Sequence, residues 1–280
     1  MTLHIYIGDD PREVQSIQAC VGSLKKRIKK AIFYYPIHEG TMRSFGWYWR
    51  RWYYNEKGHQ LDTLDGKPFT TDFAFTRFLI PWIHERHYLG DRSTDSGEAE
   101  KKRGWAIFCD SDFLFREDPN KLLELADDRF AVMCVKHKHF PPETEKKSGL
   151  PQTRYHRKNW SSLMMWNLDH PANKKLTLED VNTQPGAWLH SMGWLRDEEI
   201  GDLPEGWNWL EGWSDESIDP NVVHYTRGVP THVGMADAPY ADEWWNCLNG
   251  YWQSRDSLSG YRGSAHGCGE SQVIEPRDGQ

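Results

Sequence analysis

Five consecutive apolar residues, Trp105-Ala106-Ile107-Phe108-Cys109, run straight into Asp110-Ser111-Asp112. A run without polar alternation must be covered on both faces, the situation of a central strand in a parallel or mixed sheet flanked by helices. In open α/β sheets the ends of such strands open onto the crevice where ligands bind. Two carboxylates two positions apart in extended chain point the same way. Paired there, they need a cation to relieve their repulsion. Oxygen ligands suit Mg2+ or Mn2+, and either ion can neutralise a diphosphate leaving group. An Asp pair that merely caps the following turn is the plainer alternative, because the pattern is short.

The flanking segments alternate between strand and helix. Leu3 to Ile7 alternates like a strand and stops at Gly8-Asp9-Asp10-Pro11, a loop signal. Residues 11–30 read as a helix, with Pro11 in its first turn, Val14, Ile17, Val21 and Leu24 at helical spacing, and Lys and Arg crowding its C-terminal end. Residues 31–36 form a second strand, and strand–helix–strand predicts a parallel pair. Further helices are predicted over 71–88, where Pro81 kinks or ends the helix, and over 118–125, opened by Asp118 and Pro119. Strands are predicted at 130–135, 161–167 and 222–225, and a charged, mobile surface loop at 90–104. The fold class expected is α/β, one mixed sheet flanked by helices over residues 1–260, followed by a polar, loosely ordered tail over 261–280.

Composition removes several function classes. The five cysteines (Cys20, Cys109, Cys134, Cys247, Cys268) are scattered, odd in number and without C-x-x-C spacing, which argues against a disulfide framework and a zinc site. Cys109 and Cys134 lie in apolar runs and read as buried small hydrophobes. A net charge of -7 argues against a protein that holds nucleic acid by bulk electrostatics. The basic clusters Lys25-Lys26-Arg27 with Lys29-Lys30, Arg50-Arg51, Lys101-Lys102-Arg103 and Arg157-Lys158 read as solvated faces. No apolar run approaches a membrane span and the N-terminus reads as a strand, so a cytoplasmic location is expected. P-loop, Rossmann and nucleophile-elbow patterns do not occur after the first strand or elsewhere. The 15 tryptophans are densest in the aromatic stretch from Phe45 to Tyr54, and indole faces suit sugar C–H groups as well as core packing.

Asp110-Ser111-Asp112 after Ala106-Ile107-Phe108-Cys109 resembles the D-x-D motif of GT-A-fold glycosyltransferases. The order of the remaining parts is similar to the glycogenin and lipopolysaccharide galactosyltransferase group of retaining enzymes (glycosyltransferase family 8-like). Ile5-Tyr6-Ile7-Gly8-Asp9-Asp10 sits where that group places the strand and loop at the nucleotide, and Ala74 to Pro81 resembles its helix with an arginine. Trp194 to Ile200, followed by Leu203-Pro204 and Trp207-Asn208, resembles its Asp-Gln segment before a Leu-Pro…Trp-Asn stretch. Val223-His224-Tyr225-Thr226-Arg227-Gly228 resembles its late histidine motif. The elements span about residues 3 to 230 in the same order. Three positions depart from the pattern: Val229-Pro230 follows Gly228 without the usual lysine, Asp-Gln reads Asp197-Glu198, and Asn159-Trp160-Ser161-Ser162 matches Asn-x-Gly loosely.

The resemblance implies a UDP-sugar donor, Mn2+ (or Mg2+) as cofactor, and transfer with retention. It assigns Asp110, Asp112 and His224 to the metal, and Gly8, Asp9, Asp10, Arg77, Asp110 and Ser111 to the donor. Arg227 and Gly228 are expected to offer the phosphates a charge and a close backbone approach, with a surface turn as the alternative. Asp197 and Glu198 are the catalytic candidates, since a carboxylate near the anomeric carbon stabilises an oxocarbenium-like transition state, although solvated acids at a helix start explain them equally. The segments from Arg154 to Ser162 and from Lys136 to His139 each set donors beside a strand, fitting either a sugar or acceptor pocket or ordinary loops. A saccharide acceptor is favoured, and a nucleobase, DNA or a protein also fits the aromatic stretch. Two other classes stay open: a metal-dependent nucleotidyltransferase or phosphoesterase, and a non-catalytic carbohydrate-binding protein.

Overall fold

The computed structural model describes residues 2–69, 71–89, 103–138, 157–256 and 272–276. In chain order the strands are β1 (Leu3–Gly8), β2 (Ile32–Ile37), β3 (Trp52–Tyr54), β4 (Gln60–Asp62), β5 (Trp105–Cys109) and β6 (Phe113–Phe115). There follow β7 (Val132–Cys134), β8 (Leu163–Asn167), β9 (Ile200–Asp202), β10 (Trp209–Leu210), β11 (Val222–His224) and β12 (Gln272–Ile274). The main sheet runs β12-β2-β1-β5-β8-β7-β9, a second sheet β10-β11-β6, and β3 and β4 form a hairpin by themselves. β1 pairs parallel with β2 and β5, while β8 is antiparallel to both β5 and β7. The main sheet is therefore mixed, with the apolar run of β5 near its centre and buried throughout.

Period-two alternation sorts the two faces. Leu3, Ile5, Ile7, Ile107 and Cys109 face helix α1 (Val14–Arg27) through Ile17, Val21 and Leu24. Tyr6, Ala106, Phe108, Met164 and Trp166 pack against Phe73, Phe78, Ile83 and Trp194 on the other side. Both faces are thus covered, which is why β5 tolerates no polar residue until Asp110. Helix α1 also lies against the C-terminal helix Ala241–Asp256 so closely that a Cβ on Gly22 would sit 2.2 Å from the Cys247 carbonyl oxygen. Cys109 and Cys134 are buried thiols, and burial pushes the Cys134 thiol up to about 12.

Several local expectations shift. The helix predicted over 71–88 begins as a 3-10 turn at Thr76–Leu79 and becomes α-helical only over Ile80–Leu89. Pro81 stands in the first turn of that helix, where its missing N–H costs nothing, so it starts the helix instead of kinking it. Arg50, read as part of a solvated basic pair, is 1% exposed. Asp62 accepts from Nε and Nη2, and the carbonyls of Val181 and Gln184 accept from Nη1 at 3.1 and 2.7 Å, so four of its five N–H groups have an acceptor inside the protein. Of the expected tail, Gln272–Ile274 forms the edge strand β12 against β2, and 261–271 and 277–280 lie outside the described residues. Most of the loop expected at 90–104 also lies outside them. No helix among the described residues is long and apolar enough to cross a membrane.

Candidate metal and nucleotide-sugar site

Sheet register brings the acidic junction and the late histidine together. β1 and β5 end side by side, with Ile7 opposite Cys109, so the loops that follow them are neighbours. β11 runs antiparallel to β6 and sets His224 opposite Phe113, next to Asp112 in the chain. Asp110 and Asp112 do not share one face of an extended strand as expected. Asp110 leaves β5 and Asp112 lies in the turn into β6. Backbone hydrogen bonds fix each one separately: Asp110 N–H donates to the Ser162 carbonyl at 3.0 Å, and the Asp112 carbonyl accepts from Tyr225 N–H at 3.1 Å. One ligand atom from each of Asp110, Asp112 and His224 lies within 4.8 Å of the others. Two carboxylate oxygens and one imidazole nitrogen form a donor set that suits Mn2+ and, less well, Mg2+.

This cluster lines a cavity of about 630 Å³, a volume in the range of small-molecule sites. Arg77 supports it from below. Its Nη1 lies 2.8 Å from Asp110 Oδ1 and donates to the Ser161 carbonyl at 2.9 Å, while Nε donates to the Ala74 carbonyl at 3.1 Å. The guanidinium expected to contact the donor is therefore engaged in holding Asp110, although it reaches the cavity wall.

The first loop divides its expected roles. Gly8 is packed so tightly under the Phe73 ring that a Cβ would come within 2.4 Å of it, so its part is to let Phe73 form the wall. Asp9 turns to His38, with an Oδ2–Nε2 distance of 3.2 Å, and does not line the cavity. Burial raises its pKa. Asp10 does line it, but both of its oxygens accept locally, from Arg12 and from Asp72 N–H. Burial opposes ionisation of Asp10, and the Arg12 hydrogen bonds outweigh it, holding the carboxyl below the usual range. Ser111 is buried and off the cavity.

On the far wall, Arg227 forms a two-pronged ion pair with Glu211, a buried carboxylate. Its charge is already matched. Gly228 has φ +130°, and a Cβ there would meet His232 Nδ1 at 2.5 Å, so this position of the cavity wall requires glycine. Lys67, on the rim, makes no ion pair among the described residues.

Asp197 and Glu198 are not brought to the cavity. They occupy a 3-10 turn just before β9, at the edge of the main sheet. Asp197 is 88% exposed and pairs with Arg157, and Glu198 pairs with Arg196 at 3.1 Å. The positions they were expected to fill, beyond the metal cluster, are taken by Lys158, Asn159, Ser161, Gly186 and His190. Ser161 Oγ and His190 Nδ1 are 2.8 Å apart. The segment ending at Ser162 was a pocket candidate, and Arg154 to His156 lie outside the described residues. His190 carried no sequence signal, because a histidine after Trp188 and Leu189 reads as core. Lys136, His137 and Lys138 line a different cavity of about 560 Å³ beside Trp213, and His139 is outside the described residues.

No protein-family model matches the chain. In sequence it is similar to the Arabidopsis thaliana protein named Protein CDI, 42% identical over 252 residues, which cover 88% of this chain and 86% of that one. In structure it is similar to the WbbM bifunctional glycosyltransferase, with a TM-score of 0.54 at 13% identity over 92% of this chain and 51% of that one. It is similar also to the apo glycosyltransferase GlyE of Streptococcus pneumoniae TIGR4, with a TM-score of 0.50 at 14% identity over 92% of this chain and 64% of that one. The chain spans about half the length of the first of these structures and under two thirds of the second. The fold is the GT-A fold.

Proposed function

We propose, from the premise that this chain belongs to the family of Protein CDI of Arabidopsis thaliana, that it is a metal-dependent glycosyltransferase using a UDP-sugar. The observation that carries the reading is the convergence of Asp110, Asp112 and His224 on one cavity at the end of the central strand of a GT-A fold. Asp110, Asp112 and His224 would hold Mn2+ (or Mg2+), which when bound supplies positive charge to the departing diphosphate. Arg77 pairs with Asp110 and holds its carboxylate at the cavity wall. With Arg227 matched by Glu211, Lys67, which lines the cavity and makes no ion pair among the described residues, is the cation assigned to the phosphate oxygens in this reading.

Asn159, Ser161 and His190 face the cavity next to the cluster and supply donors and acceptors suited to sugar hydroxyls. Retention at the anomeric carbon is part of the proposal and rests on the motif order. For the acceptor we favour a saccharide. Trp52 and Tyr54 are exposed on β3, their rings meeting edge to face at 5.1 Å, and the return strand β4 leads directly into Asp65, Lys67 and Pro68 of the cavity rim. Exposed aromatic rings on a hairpin that leads to the rim suit contact with the C–H faces of a sugar.

Calorimetry and thermal-shift measurements with UDP and UDP-sugars, with and without Mn2+, test the reading. Metal-dependent stabilisation is expected, about 2.7 kcal/mol with ligand at a hundred times its Kd, and Asp112→Ala should abolish it. No response to any nucleotide in the presence of Mn2+ overturns the proposal. Turnover of UDP-sugar only to free sugar, with every saccharide offered, removes the acceptor assignment and leaves a hydrolase.

A further inference from the structure

We infer that Asn208 is a positioning residue that keeps a proton on Nδ1 of His224, so that Nε2 is the nitrogen turned to Asp112 and left for an ion. The inference deepens the metal-site reading and rests on it only for its consequence, not for its geometry.

Asn208 ends a 3-10 turn (Glu205–Asn208), is fully buried, and stands two residues before Leu210, the sheet partner of His224. Its side chain touches three groups. Nδ2 lies 3.0 Å from Ser162 Oγ and 3.2 Å from the Asn159 carbonyl oxygen, and Oδ1 lies 2.9 Å from His224 Nδ1. The direction of each bond follows from counting protons. Ser162 Oγ–H donates to the Asn159 carbonyl at 2.7 Å, so Ser162 Oγ has only lone pairs left for Asn208. The Asn159 carbonyl can only accept. Both N–H groups of Asn208 are therefore committed, and its amide oxygen is left to accept from His224.

Turning the amide over would set its oxygen against a carbonyl oxygen and a hydroxyl whose proton is elsewhere, leaving buried polar groups unmatched. A neutral imidazole that donates from Nδ1 carries its lone pair on Nε2. That atom is the one 3.5 Å from Asp112 Oδ1. The ring has no freedom to change the arrangement: it is 4% exposed and stacked on Phe113, with centroids 4.5 Å apart and planes at 22°. Asn159 adopts φ +65°, an uncommon conformation for a residue other than glycine, and its carbonyl meets the Asn208 amide. The chain Asn159–Ser162–Asn208–His224 thus links the segment that lines the sugar side of the cavity to the metal cluster. Partners of this kind on the far nitrogen of a metal-binding histidine typically change metal affinity 10–100-fold.

The test reads the ring nitrogens directly. Multiple-bond 1H–15N spectra of the metal-free protein should show His224 protonated on Nδ1 in the wild type. Asn208→Ala should yield a mixture with the Nε2–H form, and its Mn2+ affinity, followed by electron paramagnetic resonance, should drop about 10–100-fold. Asn208→Asp keeps an oxygen facing Nδ1–H, with Ser162 free to rotate and donate to it. Its second oxygen meets the Asn159 carbonyl, so it should lower stability while keeping the proton on Nδ1 and holding Mn2+ within a few-fold of wild type. Ser162→Ala removes one anchor of the amide and should move both readouts the same way by less, which keeps the test alive if Asn208→Ala does not fold. An Nε2–H ring in the wild type, or wild-type Mn2+ affinity in Asn208→Ala, overturns the inference. A wild type that shows the Nδ1–H ring and binds no Mn2+ instead overturns the metal reading above, and the two failures are told apart by which signal is lost.

Discussion

Two short acidic segments, Asp110-Ser111-Asp112 and Asp197-Glu198-Glu199, each lie beside an arginine, and the fold uses them in opposite ways. The first leaves the central strand, where covered faces and a neighbouring strand end leave its carboxylates a cavity to face. Its arginine is 6% exposed and tied to two backbone carbonyls. The second precedes the edge strand β9, where two of its three carboxylates point to solvent. Identical chemistry becomes a candidate ligand set in one place and a helix cap with surface ion pairs in the other. The difference lies in what surrounds the carboxylates, since a buried charge must be matched and an exposed one is matched by water.

The largest effect should come from removing the match at the buried end. Arg77→Met keeps an unbranched side chain against the rings of Phe73 and Phe108 and removes the guanidinium that pairs with Asp110. Breaking one half of a buried pair costs about 3–5 kcal/mol, so urea unfolding of the metal-free variant should show a loss of that size. Adding Mn2+ should recover part of it, since a bound cation replaces the lost charge. A loss under about 1 kcal/mol, the scale of an exposed pair, would erase the contrast between the two segments.

That contrast also marks what could be read from the sequence. The apolar run before Asp110 announced a covered central strand, and the order of strand, helix and histidine motifs announced the GT-A fold. His224 joined the cluster through the antiparallel pairing of β11 with β6, a long-range register that no local pattern reports. Arg50 went wrong for a related reason: its partners, Asp62, Val181 and Gln184, are far apart in the chain, so its burial left no trace beside it. Asp197 stands in the motif-like stretch the sequence points to, and the fold sets that stretch in the turn before the edge strand β9, off the cavity. His190 was invisible, since only the folded helix Gly186–His190 turns it toward Ser161.

A smaller effect separates Glu199 from its exposed neighbours. Glu199 closes the 3-10 turn by accepting from Arg196 N–H at 2.8 Å and is approached by Lys175 at 3.4 Å. The backbone hydrogen bond from Arg196, with the side chains of Arg196 and Lys175, lowers its carboxyl from 4.5 to about 2 against the opposing effect of burial. Its folded pKa is depressed, so its contribution is complete above the unfolded value near 4.5 and is lost as the pH falls toward about 2. Glu199→Ala should cost about 1 kcal/mol at neutral pH, the scale of a lost cap. The gap between variant and wild type should close on acidification. A gap independent of pH would mean that packing, not the ionised cap, holds the start of β9.

The smallest effect is expected at Asp197, and it bears on the proposed chemistry most directly. Arg157, its partner, also donates Nη1 to the Ser191 carbonyl at 2.6 Å and lies over Trp160 at 5.3 Å, so the guanidinium stays placed without Asp197. Asp197→Ala should therefore change stability by only about 0–1 kcal/mol. If the sugar is positioned by Asn159, Ser161 and His190, the variant should retain metal-dependent UDP binding and UDP-sugar turnover within a few-fold, whereas His190→Ala should lower turnover with UDP binding intact. A loss of about a hundredfold or more in turnover for Asp197→Ala, with UDP binding unchanged, would reverse that assignment. It would mean that the turn before β9 swings inward when donor is bound, and that the exposed acidic segment joins the buried one during the reaction.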